Sequence, residues 1–188
     1  MKLLFIFAFF AYALAADEND LKIFNKYRRG IAKKYGIPNM WALQESAALD
    51  LYGQYFHKNC TKYANIPFRY FWTGGMADEH NFNVYWRFWF KKVKDQNQVE
   101  GVYKIWANET AFFLEYSAPL QKKLWCMPET CAVTSVPPRN MLPEKITYYK
   151  LCIIGPETEL ATSVLTGQKP GSECKPNGRN DDGLCVPI

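Results

Sequence analysis

Six cysteines in a chain of 188 residues constrain the fold more than any other feature. They are Cys60, Cys126, Cys131, Cys152, Cys174 and Cys185. An even number of cysteines behind a secretion leader reads as a set of three disulfides. The leader is visible at the start. Lys2 supplies a basic flank, LLFIFAFFAYAL an apolar stretch, and Ala13 and Ala15 the small residues of a cleavage site, so residues 1–15 are expected to be a signal peptide. The apolar run is too short to cross a bilayer of about 30 Å, and no later stretch is longer. Zinc is the poorer reading of the cysteines. No C-x-x-C pair occurs, and only His57 and His80 would add imidazoles.

The remaining roughly 170 residues fit one domain of ordinary size. The formal net charge of +5 is mild, and acids are interleaved with the bases. A nucleic-acid groove is therefore not indicated, although weak attraction to anionic cell surfaces is compatible with that charge. The aromatic share of 16% points to a core built from Tyr, Phe and Trp. Asn59-Cys60-Thr61 and Asn108-Glu109-Thr110 are N-glycosylation acceptor tripeptides. Each reads equally well as an unmodified surface Asn.

Residues 17–36 predict a first helix, with acids at its start, bases toward its end, and Gly36 and Pro38 stopping it. Residues 40–60 predict a second, because Ala47, Leu51 and Tyr55 recur at four, as do Ala48, Tyr52 and Phe56. Residues 61–80 read as irregular, broken by Pro67 and Gly74-Gly75. Residues 81–95 predict a third helix, and VYKIWA a helical turn or short strand. TAFFLEY, CAVTSV and ITYYKLCII predict strands from their β-branched and aromatic content. From residue 155 onward Gly, Pro and polar residues dominate. Helices followed by strands argue for an α+β fold.

Four stretches together resemble the CAP superfamily of cysteine-rich secretory, antigen 5 and pathogenesis-related 1 proteins. FNKYRRGIA is similar to that family's opening helix. Asn39-Met40 followed by a long helix and Cys60 is similar to its second. EGVYKIWANET is similar to its signature and YYKLCIIGPETEL to its terminal strand. The resemblance implies a three-layer α-β-α sandwich over residues 16–165 and a cysteine-bounded tail over 166–188. It also implies the disulfides Cys60–Cys131, Cys126–Cys152 and Cys174–Cys185. Many members hold a divalent metal with two His and two acids. Here the matching positions fall at Ala64, Gly75, Lys92 and Glu100. One carboxylate beside an ammonium group does not chelate zinc, so no metal or other cofactor is expected.

No G-x-S-x-G, H-E-x-x-H or P-loop is present, and the cysteines are expected to be oxidised. Enzymatic activity is therefore not expected. What the resemblance implies instead is a secreted, extracellular binding effector. Some hookworm members block platelet aggregation or neutrophil adhesion by engaging integrins. Arg179-Asn180-Asp181, between Cys174 and Cys185, could present a cation and a carboxylate to such a cell-surface receptor. The same segment, with its Asn-Gly and Asp-Gly turn signals, could equally be a disulfide clasp worth roughly 2–3 kcal/mol. Other family members bind sterols or lipids, and the aromatic stretch PFRYFWTGG could line an apolar groove for such a ligand. A structural or defence role for the secreting organism is the remaining reading.

Overall fold

The computed structural model describes residues 20–56, 68–73, 115–135, 144–156 and 168–188. The described residues begin with helix α1, residues 20–35. Phe24, Tyr27, Arg28 and Ile31, spaced three and four apart, face inward and are buried. The helix ends as its sequence dictates. Gly36 adopts a left-handed φ of 65°, and the Ile37 N–H returns to the Ala32 carbonyl at 3.0 Å. That is a Schellman closure, with the fully buried Ile37 as its hydrophobic contact and Pro38 preventing continuation.

Four strands follow in one mixed sheet: β1 (Gln44–Glu45), β2 (Arg69–Thr73), β3 (Lys123–Ser135) and β4 (Glu144–Gly155). Their spatial order is β1-β3-β4-β2. β1 runs parallel to β3, while β3–β4 and β2–β4 are antiparallel. β4 is a central strand, and Leu151, Cys152, Ile153 and Ile154 are all fully buried. A strand reading as a continuous apolar run has both faces covered. On one face Leu124, Cys126, Cys152, Ile154 and Phe71 pack with the inner side of α1. On the other, Trp72, Leu151 and Cys131 pack with Phe56, Tyr70, Met127 and Tyr148. A 3-10 helix, Ala47–Tyr55, lies on this second face. Its Gly53 sits so close to the sheet that an added Cβ would fall 2.7 Å from the Met127 Sδ.

In the β3–β4 pairing, Pro128 opposes Lys150 and Cys131 opposes Tyr148, so β3 carries one extra residue. This bulge accommodates Pro128, which has no N–H to give to the ladder. The pairing also sets Cys126 directly opposite Cys152, and the two are disulfide-bonded. A second sheet is the hairpin β5 (Gly178–Asp181) and β6 (Leu184–Pro187). Its two-residue turn, Asp182-Gly183, has φ values of 49° and 94°, the doubly positive pattern of a type I′ turn that matches strand twist.

The fold is thus α+β with a mixed sheet, and three local expectations are corrected. Residues 40–60 do not begin as a helix. The Trp41 N–H donates to Pro119 O, Ala42 N–H to Cys185 O and Gln44 N–H to Lys122 O, which holds 41–45 extended. The shorter 3-10 helix begins only after Ser46. Its buried residues are Leu49 and Gly53, while the expected apolar-face residue Leu51 is 68% exposed. The region read as irregular contains β2. TAFFLEY, expected as a strand, ends instead in a helical turn at Glu115-Tyr116, the part of it that is described.

Candidate functional site

The C-terminal segment carries the candidate receptor residues, and its position depends on a buried cation beneath it. Arg28 is fully buried. Its Nε donates to Trp41 O at 2.7 Å, Nη1 to Tyr116 O and Ala118 O, and Nη2 to Pro119 O and Gln121 O. All five donors of the guanidinium are used, each on a main-chain carbonyl. Burial pushes its pKa down to about 9. Below that pH the proton is retained, and all five carbonyls keep a partner. Arg28 thereby fixes residues 116–121 against residue 41, and residue 41 in turn receives the tail.

The tail is bound to this frame by its backbone as well as by its side chains. Cys185 N–H donates to Met40 O at 2.7 Å and Glu173 N–H to Pro38 O at 3.0 Å. Trp41 forms a bridge to Cys185. Trp41 also packs with the Cys174–Cys185 disulfide and Leu120, and the Lys122 ammonium lies 4.2 Å from its ring centroid. Leu184 is fully buried in the main core beside α1. The segment 166–188 is therefore part of the core packing over its described residues. Substituting Cys174→Ala together with Cys185→Ala is expected to lower unfolding free energy by about 3 kcal/mol through a freer unfolded chain. Denaturant midpoints of the two proteins measure it.

Arg179, Asn180 and Asp181 lie on β5, and all three are exposed. Arg179 and Asp181 are two apart in a strand and share a side. Asp181 accepts from Arg29 of α1 at 3.2 Å, with just over half its side chain exposed. Asn180 is structural: its Nδ2 donates to Pro170 O, and its Oδ1 accepts from the Gly183 N–H. Asp182 meets Lys33 at 2.6 Å and Arg29 at 3.5 Å. The Lys33 hydrogen bond, with the Lys33 and Arg29 charges, holds the Asp182 carboxyl below its usual value against an opposing effect of desolvation. A depressed carboxyl contributes above its unfolded pKa and loses that contribution as pH falls through the folded value. The helix–turn contact is expected to persist at neutral pH and to weaken below about pH 4. Loss of amide protection at Gly183 in acid, measured against its intrinsic exchange rate at each pH, but not at the buried Leu184, is the readout.

Cys131 is also disulfide-bonded, and Cys60, the partner the resemblance implies, lies outside the described residues. So do the signal-peptide stretch, His57, His80, Asn59, Asn108 and the four positions Ala64, Gly75, Lys92 and Glu100. Among the described residues no group of three or more His, Cys, Asp or Glu is set to hold a metal, and no helix is long and apolar enough to cross a membrane. In the aromatic stretch expected to line an apolar groove, Phe71 is fully buried and Trp72 nearly so, while Phe68 and Tyr70 are half-buried.

Two features of the site had no reading in the sequence. Arg28 stands among five other basic residues of α1, and nothing local separates the buried cation from the solvated ones. Its position three to four residues from Phe24 and Ile31 was the available signal. The Arg69–Glu115 pair joins β2 to the segment at 115, with Glu115 fully buried and Arg69 Nη2 at 2.7 Å from Oε1. Those residues are 46 apart in sequence. Comparison of the chain with family models, with curated proteins and with solved structures finds no match.

Proposed function

We propose that this chain is a secreted, non-enzymatic extracellular binding effector on a CAP-type three-layer scaffold, acting on cell-surface adhesion receptors of the integrin kind. The observation that supports this reading is the terminal hairpin. A disulfide, a type I′ turn and main-chain bonds fix its backbone, while Arg179 and Asp181 remain exposed on one side. A preordered cation–carboxylate pair loses little conformational entropy on binding. The Arg29 contact at Asp181 does not block this role, because exposed ion pairs are weak and exchange readily for a better partner. Disulfides and the A-x-A leader are in keeping with an oxidising, extracellular setting.

The test is agonist-induced platelet aggregation and leukocyte adhesion with the purified, disulfide-intact protein beside Asp181→Ala and Arg179→Ala. Inhibition by the parent protein that both variants lose is the expected result. Equal inhibition by all three would move the interface elsewhere on the scaffold. No inhibition by any of them removes the adhesion reading.

A further inference from the structure

We propose that Asn177-Gly178 is a site of spontaneous backbone modification, deamidation through a succinimide, in the folded, disulfide-bonded protein. It is the only Asn-Gly step in the chain. Three features of the tail favour it. Asn177 is exposed, in the turn that leads into β5, and among the described residues no hydrogen bond holds its carboxamide.

The second feature is the direction of the Gly178 N–H. Asp181 and Leu184 close the two-residue turn and form a hydrogen-bonded pair. Pairs alternate along an antiparallel ladder, so Asn180–Cys185 is non-bonded, Arg179–Val186 bonded and Gly178–Pro187 non-bonded. The outward bonds of Cys185 to residues 40 and 42 agree with this alternation. The Gly178 nitrogen therefore gives nothing to β6 and is available as the nucleophile.

The third feature explains why glycine is kept there. A Cβ at residue 178 would lie 2.6 Å from the Trp41 ring and 2.7 Å from the Val186 carbonyl. The packing of the tail on Trp41 thus requires glycine at this buried position, the one residue with no side chain beside its amide nitrogen. Lys175 and Arg179, both exposed, flank the site and favour the anionic intermediate.

The chemistry balances with water as the only co-reactant. The Gly178 nitrogen attacks Asn177 Cγ, a C–N bond forms, and the carboxamide nitrogen leaves as ammonia with the amide proton. Water then opens the ring. Cleavage at Cγ leaves an aspartate where Asn177 stood, and cleavage at the main-chain carbonyl gives an isoaspartyl link with a free α-carboxylate. Either product adds a negative charge between Lys175 and Arg179. This inference is independent of the receptor reading, since it concerns the backbone and not a partner.

The purified protein, disulfides intact, is aged in mildly alkaline buffer beside Asn177→Gln. Peptide mapping and isoaspartyl-specific methyl transfer follow residue 177, with Asn25 and Asn180 as internal references. Both references have their side-chain amides tied by hydrogen bonds. Residue 177 is expected to deamidate on the order of tenfold faster than either, a rate ratio equal to about 1.4 kcal/mol of barrier. An acidic charge variant should grow in parallel and be missing from Asn177→Gln. A rate at residue 177 no greater than at Asn180, or modification only after the disulfides are reduced, overturns the proposal.

Discussion

Arg28→Met is expected to leave little folded protein at room temperature. The methionine would fill part of the space but supply no donor to the carbonyls of residues 41, 116, 118, 119 and 121. Pro119 O and Ala118 O would keep the N–H groups of Trp41 and Gln121, while each of the other buried acceptors, left without a partner, costs about 1–3 kcal/mol. Water entering the gap would recover part of that, and a net loss of about 5 kcal/mol or more is the expected size. Domains of this kind have about 5–15 kcal/mol in all. Arg28→Lys keeps the charge but replaces a planar fork of five donors with three on one nitrogen, so an intermediate loss of about 3 kcal/mol is expected. Urea denaturation followed by tryptophan fluorescence reads both, since Trp41 is one of the residues Arg28 positions. A methionine variant as stable as the parent would show that the 116–121 segment holds its course without the guanidinium.

Glu115→Ala should also be severe, at about 3–5 kcal/mol, because it strands the mostly buried Arg69 cation beside a cavity. The double substitution Arg69→Met with Glu115→Leu is the informative companion. Removing both charges removes the desolvation cost of both, and most of the loss should return. Thermal unfolding of parent, single and double variants separates the two cases. If the double variant is as unstable as the single, the pair fixes geometry that apolar contacts do not replace.

The parts of this fold that were legible in the sequence are those whose signals are local. Helix α1 declares its end through Gly36 and Pro38, because only glycine takes the left-handed conformation without a Cβ penalty and proline cannot continue a helix. The strand around Cys152 declares itself through an unbroken apolar run. The Asp182-Gly183 turn is the pair that a two-residue hairpin needs, and its signal was present although the strands on either side were not anticipated.

Elsewhere, long-range contacts override a local pattern. The four-residue recurrence lies at 47–56, where a 3-10 helix does form, yet the chain ahead of it at 41–45 bonds to residues 119, 122 and 185 instead of to itself. A helix there would have left those partners unmet. The candidate receptor loop shows the same division. Arg179-Asn180-Asp181 is visible as a charged tripeptide, but its sequence does not say that Asn180 ties two turns together or that Asp181 rests on Arg29, 152 residues away.

By itself, then, the sequence determined the turns, the end of α1 and the apolar strand, because φ preferences and apolar runs act over a few residues. Only the tertiary structure decided which cation is buried, which half of 40–60 stays extended, and that the tail completes the core. Those outcomes depend on carbonyls and side chains brought together from distant parts of the chain, and no window of sequence contains both partners.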